Sequence, residues 1–114
     1  MRIINLTEFR ALPAGVVFAK YEPCFFGELC VKDDTIDCTC DFYYSELCCD
    51  FEHGGSSDFV DKLATAQQDR THSIPVDFHG VQRDGLFERD QLFAVYEQAD
   101  LDAMIEKLRS CVGA

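Results

Sequence analysis

Cys38, Cys40, Cys48 and Cys49 are close enough in the chain to be considered together as four thiolate ligands for a zinc ion. Structural zinc sites usually place two to four residues inside each ligand pair, so that a tight knuckle turns both sulfurs toward the metal. The single residue between Cys38 and Cys40 instead puts both on one face of a strand, roughly 7 Å apart. Cys48 and Cys49 are adjacent and point to opposite sides of an extended chain, so Cys30 or His53 would have to complete the set. The competing expectation is that Cys38 and Cys40 are small apolar residues packed beside Phe42. No C-x-x-C pair is present for thioredoxin-like redox work. A Cys–His nucleophile could draw on His53, His72 or His79, but Glu46, Asp50 and Glu52 surround Cys48 and Cys49 and disfavour a thiolate there.

Carboxylates dominate the remaining chemistry. The chain carries 21 Asp and Glu against 10 Lys and Arg, a formal net charge of −11. No basic residue lies between Lys32 and Lys62, while Asp33, Asp34, Asp37, Asp41, Glu46, Asp50, Glu52, Asp58 and Asp61 all fall in that interval. A solvated acidic face that keeps a small protein soluble is one meaning of such a run. The other is a surface that docks on a basic groove of another macromolecule. Asp33, Asp34, Asp37, Asp41, Glu46, Asp50 and Glu52 are then the binding residues. Tyr43, on the same side of a strand as Asp41, would be an aromatic anchor among them. Charge of this sign repels nucleic acid phosphates, so the expected partner is a basic protein rather than DNA or RNA. The H-E-x-x-H, G-x-S-x-G, P-loop and G-x-G-x-x-G patterns are all absent. The expectation is a binding protein without an enzymatic centre or a cofactor.

These residues must be held by a small α+β fold. Thr7 is a candidate N-cap for a helix over 8–12, which Pro13-Ala14-Gly15 ends. Residues 16–21 are rich in β-branched and aromatic types and predict a strand. Residues 28–32 alternate and predict a second strand, with Asp33-Asp34 as the turn. Residues 38–45 alternate most clearly, with Cys38, Cys40, Phe42 and Tyr44 on one face. His53-Gly54-Gly55-Ser56-Ser57 is a loop whose Ser57 caps a helix over 58–68. Residues 74–78 predict a short edge strand because Pro75 lacks an amide proton. Residues 91–97 predict the last strand. Asp100 caps a helix in which Leu101, Met104, Ile105, Leu108, Cys111 and Val112 recur at helical spacing. The sum is a mostly antiparallel sheet of about five strands, able to curl into a partial barrel, packed by two amphipathic helices.

At 114 residues with 47% hydrophobic content, one domain is expected. The opening residues lack the sustained apolar stretch of a secretory leader, and no run approaches the length of a membrane span. A cytoplasmic location with reduced thiols follows, and no membrane partner is expected. The apolar strands at 16–21 and 92–96 would invite a two-fold dimer if either lay at an open sheet edge.

Two segments, LPAGVVFAKYEPCFFGELCVKDDTI (12–36) and DGLFERDQLFAVYEQADLDAMIEKL (84–108), resemble small proteins encoded by bacteriophages and prophages. The resemblance covers about half of the chain and rests on structural motifs: a strand entry, a turn and a strand-to-helix junction. It implies a phage accessory protein acting in the host cytoplasm. It assigns no catalytic residue, and cysteines are not a shared feature of the proteins it resembles. Joined to the acidic run, it suggests an inhibitor of a basic host or competitor enzyme that handles nucleic acid.

Overall fold

Ile4, Phe18, Cys30, Phe42, Phe93 and Val95 sit in five different strands and turn to one side of a single sheet, where all six are buried. The computed structural model describes residues 1–36, 41–47, 50–86 and 88–111. Its strands are β1 (Arg2–Asn5), β2 (Val17–Glu22), β3 (Phe25–Phe26), β4 (Cys30–Thr35), β5 (Phe42–Glu46), β6 (Gln82–Arg83) and β7 (Leu92–Val95). They pair in the order β1-β7-β2-β4-β5-β6, with β3 folded back on β2, and every pairing is antiparallel. The α+β class and antiparallel sheet match the expectation. The strand count is seven rather than about five, and the sheet stays open instead of closing toward a barrel.

One short helix covers the inner face. Asn5 ends β1 and caps α1 (Leu6–Arg10) through a reciprocal box: its Oδ1 accepts from the Glu8 amide at 2.9 Å, and Glu8 Oε1 accepts from the Asn5 amide at 3.3 Å. The cap is therefore Asn5, not Thr7. From this helix Phe9 reaches down among three rings, stacked on Phe93 at 4.0 Å and edge-on to Phe18 and Phe42 at 4.7 and 5.0 Å. Offset and edge-to-face geometries of this kind suit the aromatic quadrupole.

Lys32 closes the margin of that core. Its inward position leaves the side chain 2% exposed. Its ammonium donates to the carbonyls of Leu12 and Asp33 and to Thr35 Oγ1, at 2.9, 3.1 and 2.9 Å. Burial pulls its pKa down, against the opposing pull of Asp34 and Asp33, and Arg10 adds to the lowering. A buried ammonium is tolerated here because neutral acceptors replace its water.

Several elements depart from the pattern-based expectation. Asp33 and Asp34 do not turn the chain. They lie within β4, where the register slips between Lys32↔Tyr44 and Thr35↔Phe42, as in a β-bulge. The 74–78 segment forms no strand; Asp77 donates its amide to the Asp50 carbonyl, and Val76 and Phe78 remain exposed. Residues 38–40 of the expected central strand, with Asp37, lie outside the described residues. The two longer helices, α2 (Ser56–Gln68) and α3 (Gln98–Cys111), contribute no buried residue, so the element that packs the core is α1. α2 begins after Gly55 with no side-chain cap, instead of after Ser57. Asp100 lies inside α3 rather than before it, where its Oδ2 accepts the Glu97 amide at 2.8 Å and faces the Met1 amino group at 2.6 Å.

β2 and β7 are interior strands with partners on both sides, and the sheet edges are β1 and β6. The expected route to a dimer through an exposed β2 or β7 edge is thereby removed. Among the described residues, no helix is long and apolar enough to cross a membrane.

Phe9→Ala should cost about 3–5 kcal/mol of unfolding free energy, because it vacates the space between three rings. Val60→Ala, at a position 61% exposed on α2, should stay within about 0.5 kcal/mol. Urea denaturation of the two variants checks the claim that α1, not α2, carries the core.

Candidate functional site

Lys20 of β2 follows Phe18 on the inner face, two residues beyond the reach of α1. At this uncovered end the sheet holds a cavity of about 150 Å³ with Phe18, Phe42, Tyr44 and Cys30 as its apolar walls and Lys20, Glu28 and Glu46 at its polar rim. The register explains the convergence. Glu46 lies opposite Cys30, and the Leu47 amide donates to the Leu29 carbonyl at 2.9 Å, which brings Glu28 alongside Glu46. β6 then adds Gln82 across from Tyr44.

Electrostatics here are unbalanced. Burial raises the pKa of Glu46, and the charge of Glu28, a hydrogen bond with Glu28 and the charge of Asp50 raise it further, while a hydrogen bond from Gln82 opposes them. Burial also raises Tyr44, followed by the charge of Glu46. The cation at the rim is already engaged: Lys20 Nζ lies 2.6 Å from Asp84 Oδ1. Among the described residues no lysine or arginine forms an ion pair with Glu28, Glu46 or Asp50. Among the described residues the one ion-pair contact of Asp50 is His53, at 3.9 Å, and its Oδ1 accepts the Phe51 amide at 2.8 Å.

The acidic run is not one surface. Glu46 belongs to this rim, whereas Asp50 lines a separate depression with His53, Asp77 and His79 and reaches Glu46 only through its charge. Glu52 is exposed nearby, and its carbonyl accepts from Lys62 at 2.9 Å. Asp33 and Asp34 stand three to four residues farther along β4, about 10 Å from the Glu46 level by strand rise. Asp37 lies outside the described residues. Tyr43 is 40% exposed on the outer face, across from Arg83.

Asp41 must be withdrawn as a docking residue. It is 0% exposed: its Oδ1 accepts from the amides of Phe42 at 3.0 Å and Gly85 at 2.8 Å, and its Oδ2 accepts from Arg83 Nε. Gly85 has φ +67°, a conformation that suits glycine and lets its amide reach Asp41. Strand parity does put Asp41 on the side of Tyr43. The chain following β6 then covers it, and no local pattern around Asp41 announces that. Burial alone would raise its pKa, but the Arg83 hydrogen bond, the two amides and the Arg83 charge together hold it below the ordinary carboxylate value.

The thiolate candidates Cys38, Cys40, Cys48 and Cys49 lie outside the described residues. Among those described, no group of three or more His, Cys, Asp or Glu is arranged to hold a metal ion. A second, wider depression of about 560 Å³ carries His72, His79, Asp77, Glu52 and Lys62. His79 faces Asp77 at 3.6 Å with a side chain 95% exposed, so nothing there is desolvated for acid–base work. The rim residues Glu28, Lys20, Gln82 and Asp84 were not singled out by the sequence, because a run defined by missing bases starts only after Lys32. The alternation of β4 is the signal that could have included Glu28. No family model matches the chain, and neither the curated proteins nor the solved structures contain a match to it.

Because the folded carboxyl of Asp41 titrates below its ordinary value near 3.8, its stabilising contribution is complete above that value and is lost as pH falls through the lower folded one. Asp41→Asn keeps the two amide bonds but loses the charged partner of Arg83, and should cost about 2 kcal/mol near pH 7. The gap between wild type and variant should close as pH drops below the carboxylate range. Thermal unfolding from pH 7 to pH 2 measures it; an unchanged gap would exclude the clamp.

Proposed function

We propose that this protein is a non-enzymatic acidic binding protein that captures a basic protein partner at the open end of its sheet. The observation that carries this reading is the pairing of Glu28 and Glu46 at the rim of an apolar cavity, with the charge of Asp50 acting on Glu46 from outside it and the neighbouring Lys20 held by Asp84. Like charges gathered without a cation raise the free energy of the unbound protein. A partner's lysine or arginine would relieve that repulsion, and its aliphatic stem would lie against Phe18, Phe42 and Tyr44. Exposed Glu52 lies with Asp50 on the neighbouring depression and would act there, while Asp33, Asp34 and Asp37 would act as a further, outlying group. Tyr43 faces away from the cavity and would contribute only to a partner that wraps the β5 edge.

The resemblance to phage-encoded proteins supplies the biological form of the proposal. A phage accessory working in the host cytoplasm would gain from occupying the basic groove of a host or competitor enzyme that handles nucleic acid. The protein's own charge keeps nucleic acid away, so the contact would be protein to protein.

The test replaces Glu28, Glu46 and Asp50 by lysine and compares capture of basic host proteins with wild type at about 50 mM and about 300 mM salt. Wild type should retain a partner at the lower salt and release most of it at the higher. The triple variant should lose at least tenfold in capture while unfolding at a similar temperature, and Glu106→Lys on α3 should behave as wild type. Equal retention by the triple variant, with the same salt sensitivity, would refute the proposal. Asp41 is left intact in this experiment, since its loss perturbs the fold itself.

A further inference from the structure

α3 carries an apolar stripe whose outer half is exposed among the described residues. Leu101 and Met104 are half-buried near its start, whereas Ile105 and Leu108 are 46% and 67% exposed. The spacing 101-104-108-111 is the alternating three-and-four step of a helix-pairing seam. With a radius of gyration of 16.5 Å against about 13 Å for a compact chain of this size, the molecule is elongated and leaves room beside such a helix.

The charges flanking the stripe identify what covers it. At 100° per residue, Asp102 and Arg109 border one side of the stripe, and Asp100 and Lys107 border the other. In both pairs the acid is nearer the helix start and the base is seven residues later. When a second copy of α3 lies antiparallel across the first, Asp102 faces Arg109 of the other copy. On the opposite side Asp100 faces Lys107 by nearly the same two-fold axis, between residues 104 and 105. That axis also sets Leu101 against Leu108 and Met104 against Ile105, so the apolar and charged matches coincide. A parallel arrangement would set acid against acid and base against base. Asp100 is already paired with the Met1 amino group at 2.6 Å, whereas Asp102 accepts a neutral hydrogen bond from Gln98 Nε2 at 2.9 Å and keeps its charge for Arg109 of the other copy.

We infer that α3 is a self-association surface, pairing antiparallel with α3 of a second copy of this chain. A helix of 14 residues is about 21 Å long, which places the contact at the small end of specific interfaces. The dimer is therefore weak, with a dissociation constant in the micromolar range. Two bodies of charge −11 repel each other at long range, so added salt strengthens the pairing. Capture of a basic partner has the opposite salt response, and this inference does not depend on it.

Sedimentation equilibrium of the whole chain, under reducing conditions and between about 5 and 200 µM, tests the inference. The expected result is a reversible shift from 12.9 kDa toward twice that mass, steeper at higher salt. Leu108→Glu should abolish it. Asp102→Arg and Arg109→Asp should each weaken it about tenfold, and the two together should restore it, since the swap rebuilds the antiparallel pair. Circular dichroism confirms that these exposed positions leave the fold intact. A monomer at every concentration, a dimer indifferent to Leu108→Glu, or a double swap that fails to restore pairing would each overturn the inference.

Discussion

Everything in this structure depends on Phe9. Seven strands make a sheet whose inner face needs a cover, and the cover is a helix of five residues with one fully buried ring at its centre. Phe18, Phe42 and Phe93 reach Phe9 from three different strands, so a single side chain ties β2, β5 and β7 together. Burial of that ring is the dominant apolar term at the core, because aromatic side chains remove a large area from water. The reciprocal cap at Asn5 and Glu8 matters for the same reason. Without it so short a helix would not hold its geometry, since isolated turns nucleate poorly.

A cover this small leaves part of the inner face bare, and the candidate site is what results. The same alternation that turns Phe18 and Phe42 into the core turns Lys20, Tyr44 and Glu46 toward the uncovered end. The apolar wall and the acidic rim are thus consecutive parts of one sheet face, and the cavity needs no loop insertion to form it. Lys32 marks the opposite margin, where an inward position also carries a charge. There the ammonium is enclosed by backbone carbonyls beside α1 and a hydroxyl, whereas Glu46 is set beside Glu28, within range of the Asp50 charge, with a hydrogen bond from Gln82.

The alternation of residues 38–45 put Phe42 and Tyr44 on one face, and the structure places both in or against the core, while the strand expected over 91–97 is present as β7. The acidic run was equally plain. Its geometry was not, because strand parity says which side a residue takes but not what later segment covers that side. Asp41 is buried by Arg83 and Gly85, more than forty residues away in the chain. α3 failed in the other direction. Its apolar spacing predicts a buried face, and the same spacing describes a helix that waits for a partner. Periodicity reports that a face is apolar, and only tertiary structure reports whether the chain itself supplies the cover. β3 and β6, of two residues each, carry too little alternation to rise above their surroundings, and β1 runs directly into the cap of α1, where the helix signal of Thr7 and Glu8 dominates.

The placement of two cations decides where negative charge remains uncompensated by an ion pair among the described residues. Lys20 lies on the rim with Glu28 and Glu46 and has the reach to neutralise either, yet Asp84 holds it at 2.6 Å. Asp84 also donates its amide to the Phe42 carbonyl, so the segment that buries Asp41 is the one that engages Lys20. Arg83, one residue earlier, is committed to Asp41. The two cations nearest the rim are therefore both used to pin the 83–85 segment against β2 and β5. A fold that only needed solubility could let Lys20 relax toward Glu46 at no structural cost. Here the ion pair that secures the segment after β6 is the same one that draws Lys20 to Asp84, so among the described residues neither Glu28 nor Glu46 forms an ion pair with a lysine or arginine.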